Sequence, residues 1–123
     1  MIERGVYNVL EKARETYGVN NQILVCIEEL NELACVLAKF PRYENPEQAS
    51  IELHKKALDE VADVEIILCH VKSIFGLTGE EILTRKEAKL ERLGRWLNES
   101  NSMRQTTVDR EVIEKGSQAD DSI

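Results

Sequence analysis

Proline and glycine are scarce in this sequence, with two and six occurrences in 123 residues. Both punctuate regular structure, so their scarcity excludes a loop-rich or collagen-like chain and leaves room for long helices. Long hydrophobic runs are missing too. Runs such as Ile66-Ile67-Leu68-Cys69 fall far short of the ~20 residues that a membrane-crossing helix needs, so no membrane partner is expected. The start, Met1-Ile2-Glu3-Arg4-Gly5, lacks the charged n-region, apolar run and cleavage site of a secretory signal, which makes a cytoplasmic location the expectation. Cysteine is sparse: Cys26, Cys35 and Cys69 form no CxxC pair, and the first two would lie ~13 Å apart along one helix, too far to bridge. Isolated, apolar-flanked thiols fit a reducing compartment and core packing. Positive charge is outweighed, with 16 Lys plus Arg against 23 Asp plus Glu and a net charge of -7. A nucleic acid polymer needs a clustered basic face, so it is not expected as a partner.

What is present is helical periodicity. Hydrophobic residues make up 42% and charged residues 32% of the chain, a composition that folds. Val6, Val9, Leu10, Ala13 and Tyr17 share one face of a first helix over Ile2–Tyr17, with Gly18 as its stop. Asn20 or Asn21 can cap a second helix that runs to about Phe40, where Pro41 ends it. A loop follows, and Asn45-Pro46 then pairs a capping side chain with proline at the first helical position. The third helix reaches Phe75 and stops at Gly76. Thr78-Gly79-Glu80-Glu81 has the form of a capping box, opening a fourth helix through Leu83, Leu90, Leu93 and Leu97. Four helices with short connections predict an all-α four-helix bundle over residues 1–98. After Asn98 the pattern collapses, and residues 99–123, with six acids and three bases, read as a flexible tail. Within it Val108, Val112 and Ile113 can form a short partner-dependent helix.

The chemistry sits in two acidic patterns, Glu28-Glu29-Leu30-Asn31-Glu32 on the second helix and Glu60-Val61-Ala62-Asp63 on the third. In a chain this acidic such strings also arise by chance, so position is the better discriminator. At 100° per residue, Glu29 and Glu32 share an arc with Val25 and Val36, and Glu60 and Asp63 share a face with Leu53, Val64, Ile67, Val71 and Ile74. Solvated acids belong opposite the apolar stripe, as Glu11 and Glu15 can be. Burying four carboxylates without compensation costs several kcal/mol each, so a cation must meet them. Four carboxylates without a matched His or Cys cluster describe an all-oxygen site for a hard divalent ion, Mg²⁺ ahead of Mn²⁺. A di-iron bundle would need Glu-x-x-His pairs, but Ile67 precedes His70 and Ile51 precedes His54. Both histidines read as surface or core residues.

These residues resemble the MazG-like all-α nucleoside triphosphate pyrophosphohydrolases, which carry EExxE and then ExxD on adjacent bundle helices. Here 27 residues separate Glu32 from Glu60. The resemblance spans residues 18–96, from Gly18-Val19-Asn20-Asn21-Gln22 ahead of the first motif to the basic segment that runs from Lys86 to Arg95. One departure is Leu93, where relatives commonly have Asn. The resemblance implies Mg²⁺-dependent hydrolysis of a (deoxy)nucleoside triphosphate to monophosphate and pyrophosphate. It implies Glu29, Glu32, Glu60 and Asp63 as metal ligands and Glu28 as the group that orients or deprotonates the attacking water. Substrate contacts would come from Gln22 and from Arg85, Lys89 and Arg92, which share a basic face of the fourth helix at i, i+4 and i+7, with Lys86 and Arg95 secondary. Trp96 reads as packing at the bundle end. A homodimer or homotetramer is expected, because helices two and three are apolar on more than one side. The alternative is a non-catalytic helical interaction protein with an acidic metal-binding core. A narrower version of the first reading is an enzyme confined to dUTP or dCTP.

Overall fold

A computed structural model describes the backbone of residues 2–122 and the side chains of residues 4–105. Among these residues there is no strand. The order is α1 (Ile2–Tyr17), α2 (Val19–Lys39), a 3₁₀ turn (Phe40–Arg42), α3 (Pro46–Phe75) and α4 (Gly79–Ser122). The chain divides into two compact units, Met1–Thr78 and Gly79–Ile123.

In the first unit α1, α2 and α3 pack on one another, with α2 against α3 the main pairing. The α1 to α2 junction is a single residue. Gly18 has φ 87° and ψ 153°, a conformation that side-chain-bearing residues avoid. Its amide closes α1 by donating to Arg14 O at 2.8 Å, and its carbonyl accepts from Gln22 N at 3.2 Å to open α2. The expected asparagine cap is therefore not used. Gly18 holds the N-cap position, and Asn21 Nδ2 instead donates to Tyr17 O at 2.7 Å, occupying one of the carbonyls that α1 leaves bare.

The remaining boundaries follow their signals. Asn45 Oδ1 accepts from Glu47 N at 2.8 Å with Pro46 behind it, the satisfied N-cap that the Asn-Pro pair predicts. Gly76, at φ 66° and ψ 33°, ends α3, with Leu77 N returning to Lys72 O at 2.8 Å, a Schellman-type closure. Pro41 ends α2 as expected, but the chain passes through one 3₁₀ turn before it extends.

The core of the first unit is small. Leu10, Cys26, Val36, Ala49, Leu53 and Ile67 are its buried apolar residues, and His70 is buried with them. Cys35, by contrast, is exposed, and all three cysteines are free thiols. Large apolar side chains remain exposed on the outer faces, among them Leu24, Ile27, Leu30 and Leu37 on α2 and Leu58, Val61 and Leu68 on α3.

The second unit is the single helix α4, 44 residues and about 66 Å long at the usual rise. Its start agrees with the capping-box signal, and Glu80 and Glu81 occupy the first turn. Its end does not fall at Asn98, because the helical backbone continues to Ser122. Polarity alone does not break a helix, and residues 99–122 contain no proline. The side chains of Val108, Val112 and Ile113 lie outside the described residues.

Candidate metal centre

Helices α2 and α3 meet along a seam whose residues recur at helical spacing. On α2 these are Gln22, Cys26 and Val36, all buried, with Glu29 half-buried among them; Val25 lies toward the rim, exposed. The matching α3 residues include buried Leu53, Ile67 and His70, with half-buried Glu60 between. Glu29 and Glu60 are thus turned inward by the same periodicity that builds the core, whereas Glu32, expected to be buried with them, is exposed at the rim of the seam.

Glu29, Glu32, Glu60 and Asp63 each bring a carboxylate oxygen to one spot, and these four oxygens lie within 4.8 Å of one another. The two acidic motifs meet across the seam: Glu29 is hydrogen-bonded to Asp63 and Glu60 to Glu32. A hydrogen bond between two carboxyl groups requires a proton on one of them. Burial, then the charges of Glu32 and Asp63, raises the pKa of Glu29 above the ordinary carboxylate range. Burial, then the charge of Glu32, does the same to Glu60. Proximity of like charges and loss of water both favour the neutral form.

One oxygen on each side of the seam, Glu29 Oε2 and Glu60 Oε2, is buried without a hydrogen-bond partner. Such orphaned acceptors are uncommon in a folded chain and call for a cation or donor. The donor set is all oxygen, with converging carboxylates from two facing helices, which suits a hard divalent ion. The residues present therefore fit a metal.

The other predicted site residues are distributed as follows. Glu28 is exposed on α2, about 100° around the helix from Glu29, and it is not one of the four converging acids. Gln22 is buried, two turns before Glu29. Arg85, Lys86, Lys89 and Arg92 belong to the second unit, where they are exposed on α4, as is Leu93. His54 is exposed and His70 is 2% exposed, so neither joins the acidic group.

The antiparallel register that sets Glu29 by Asp63 and Glu32 by Glu60 also brings Gln22 level with His70. Near that end of the seam Arg14 Nη2 donates to Ser73 Oγ at 2.9 Å. Arg14 Nη1 and His70 Nε2 are buried there without hydrogen-bond partners. Burial, and then the neighbouring Arg14 charge, lowers the pKa of His70.

Sequence reasoning missed a feature at the opposite end. The 3₁₀ turn after α2 and the last turn of α2 border an open surface pocket of about 280 Å³ lined by Lys39, Arg42 and Tyr43. Its signal was present as Lys39-Phe40-Pro41-Arg42-Tyr43, two bases flanking the proline. Comparison with protein-family models, curated proteins and solved structures returned no match.

Proposed function

We propose that the chain is a Mg²⁺-dependent pyrophosphohydrolase that converts a (deoxy)nucleoside triphosphate to its monophosphate and pyrophosphate. The observation that carries this reading is the convergence of Glu29, Glu32, Glu60 and Asp63 within 4.8 Å. It joins the two acidic motifs whose pairing is similar to that of the MazG-like enzymes. The same residues would hold the metal, with Mg²⁺ ahead of Mn²⁺ for an all-oxygen donor set. A metal held by these residues would supply positive charge against the phosphates of the substrate.

The protein's own groups supply position and proton transfer. Glu28 is exposed next to Glu29 on α2, so its carboxylate can take a proton from a water that approaches the edge of the acidic group. The water oxygen joins the α-phosphorus, the bond from that phosphorus to the α–β bridging oxygen breaks, and pyrophosphate leaves. Gln22 contributes a buried amide for the sugar or base. The resemblance further implies substrate contacts from Arg85, Lys86, Lys89 and Arg92.

The exposed Leu24, Ile27, Leu30, Leu37, Leu58, Val61 and Leu68 support a homodimer or homotetramer. A unit with so small a core leaves these faces for other copies. Within such an assembly the helices would complete a bundle of the all-α pyrophosphatase type, in the cytoplasm.

The test is an assay of the eight common NTPs and dNTPs with Mg²⁺, following both pyrophosphate and monophosphate. At least one substrate should yield both in equal amounts, and restriction to dUTP or dCTP would narrow the role. Silence from all eight with either Mg²⁺ or Mn²⁺ would favour the helical interaction protein instead.

A further inference from the structure

We propose that the pocket of Lys39, Arg42 and Tyr43 is an oxyanion site that holds the outer two phosphates of the substrate. The proposal rests on the pyrophosphohydrolase reading. It assigns the pyrophosphate half of the nucleotide to Lys39, on the helix that carries Glu29 and Glu32, and to Arg42 in the 3₁₀ turn that follows it.

The geometry begins with helix position. Lys39 is seven residues after Glu32 on α2, so it lies within about 20° of Glu32 around the helix and ~10.5 Å farther along it. Helical side chains lean toward the N-terminus, which directs the Lys39 stem back toward the level of Glu32. Lys39 is half-buried, in keeping with a stem laid along the seam and an ammonium at its mouth. The 3₁₀ turn then carries Arg42 to the same open pocket, whose volume of about 280 Å³ gives room for a diphosphate.

The turn is fixed and its nearby acid is already engaged. Tyr43 is hydrogen-bonded to Glu52 of α3, and this bond, before burial, raises the pKa of the phenol. Glu52 Oε1 also accepts from Gln48 Nε2 at 3.1 Å. The Glu52 carboxylate therefore holds the tyrosine in place, while the pocket wall presents a lysine and an arginine. Lysine as a point charge and arginine as a two-pronged donor form a recurrent pair for phosphate oxygens. The acidic group alone repels a triphosphate. A cationic pocket about two helical turns from Glu32 gives the polyanion an attractive end and sets its direction, with the leaving group toward the 3₁₀ turn.

The experiment uses the full chain with MgCl₂ and titrates pyrophosphate by calorimetry, comparing wild type, K39A/R42A and R4A/K12A, which removes two charges from α1. Circular dichroism verifies that each variant is folded. K39A/R42A should weaken pyrophosphate binding about 10- to 100-fold, the range for loss of contacts to a charged group. R4A/K12A should stay within about threefold of wild type, as expected for loss of exposed charges alone. With a hydrolysed nucleotide, K39A/R42A should raise KM by a similar factor and change kcat far less, and K39R/R42K should recover part of the loss. Wild-type protein that fails to bind pyrophosphate, or a K39A/R42A variant that binds it as wild type does, overturns the proposal. A protein that binds pyrophosphate through these residues yet cleaves no nucleotide keeps the oxyanion site and refutes the hydrolase reading. Hydrolysis with an unchanged KM in K39A/R42A does the opposite.

Discussion

Adding Mg²⁺ to metal-stripped protein perturbs the four converging carboxylates directly, and its effect on folding can be worked through. Glu29 and Glu60 have folded pKa values raised above 4.5. For an acid raised in this way, the contribution to stability is fully present below about pH 4.5 and is lost as pH rises through the folded pKa. At pH 7.5 the empty acidic group is therefore a liability, and a cation that binds only the folded chain removes it. At a Mg²⁺ concentration 100 times Kd the linkage is about 2.7 kcal/mol. The first unit spans Met1–Thr78, a size for which 1 kcal/mol moves Tm by about 4–8 °C. A shift on the order of 10–20 °C is expected at saturation. The assay is thermal unfolding followed by circular dichroism, with EDTA-treated protein at pH 7.5 and NaCl of equal ionic strength as the reference. Glu32→Gln should melt at or above the wild-type temperature without metal, respond much less to Mg²⁺, and lose turnover. A wild-type shift no larger than that from NaCl, or an undiminished shift in Glu32→Gln, would refute the assignment of these acids to a metal.

Other consequences follow from single residues. The pKa of His70 is lowered from 6.5 by burial and then by Arg14, so its contribution to stability is full above about pH 6.5 and is lost as pH falls toward the folded value. Because Glu29 and Glu60 act in the opposite direction over this range, lowering the pH from 7.5 to 5.0 should change the urea midpoint less favourably in wild type than in His70→Gln, and equal changes would remove His70 as the cause. Gly18→Ala forces a side chain into φ 87° with no neighbour within 4 Å, so its cost is conformational, about 1–3 kcal/mol in denaturant unfolding. Gly94→Ala, within α4 and also without a neighbour in reach, should change helix stability in the other direction by roughly 0.5–1 kcal/mol. Leu37→Glu places charge on an exposed apolar face and should shift the mass measured by light scattering toward monomer. A wild type already monomeric at high micromolar concentration would refute self-association through these faces.

The parts of the fold that were legible are those marked by backbone chemistry. Asn45, Pro46 and Gly76 delimit α3 because each residue type has a conformational reason to be there. The start of α2 was read from asparagine, yet Gly18 made a linker unnecessary and left Asn21 to serve the previous helix. Asn98 looked like an end because the apolar pattern fades, although helix continuation depends on the backbone and on good helix formers such as Glu, Arg and Gln. The convergence of Glu29, Glu32, Glu60 and Asp63 was readable from the wheel, since period 3.6 fixes which residues share a face. Which apolar neighbours were buried was less readable: a two-helix seam is narrow, so Cys26 lies inside it and Val25 at its edge. The Lys39 and Arg42 pocket is not legible in the sequence because proline there signals only a helix end, while in the fold Pro41 sits in a turn that carries bases on both sides.

The Gly18 junction makes α1 and α2 mechanically unlike the other connections. Between them the direction of a whole helix is set by the torsions of one residue, and Arg14 braces the far side by reaching Ser73 of α3. Between the 3₁₀ turn and α3, Tyr43, Glu44 and Asn45 supply a short stretch of non-helical chain. Length added there before Asn45 can be absorbed locally, whereas one residue added beside Gly18 rotates and shifts α1 as a body. The chain thus has one connection that tolerates insertion and one that encodes an angle.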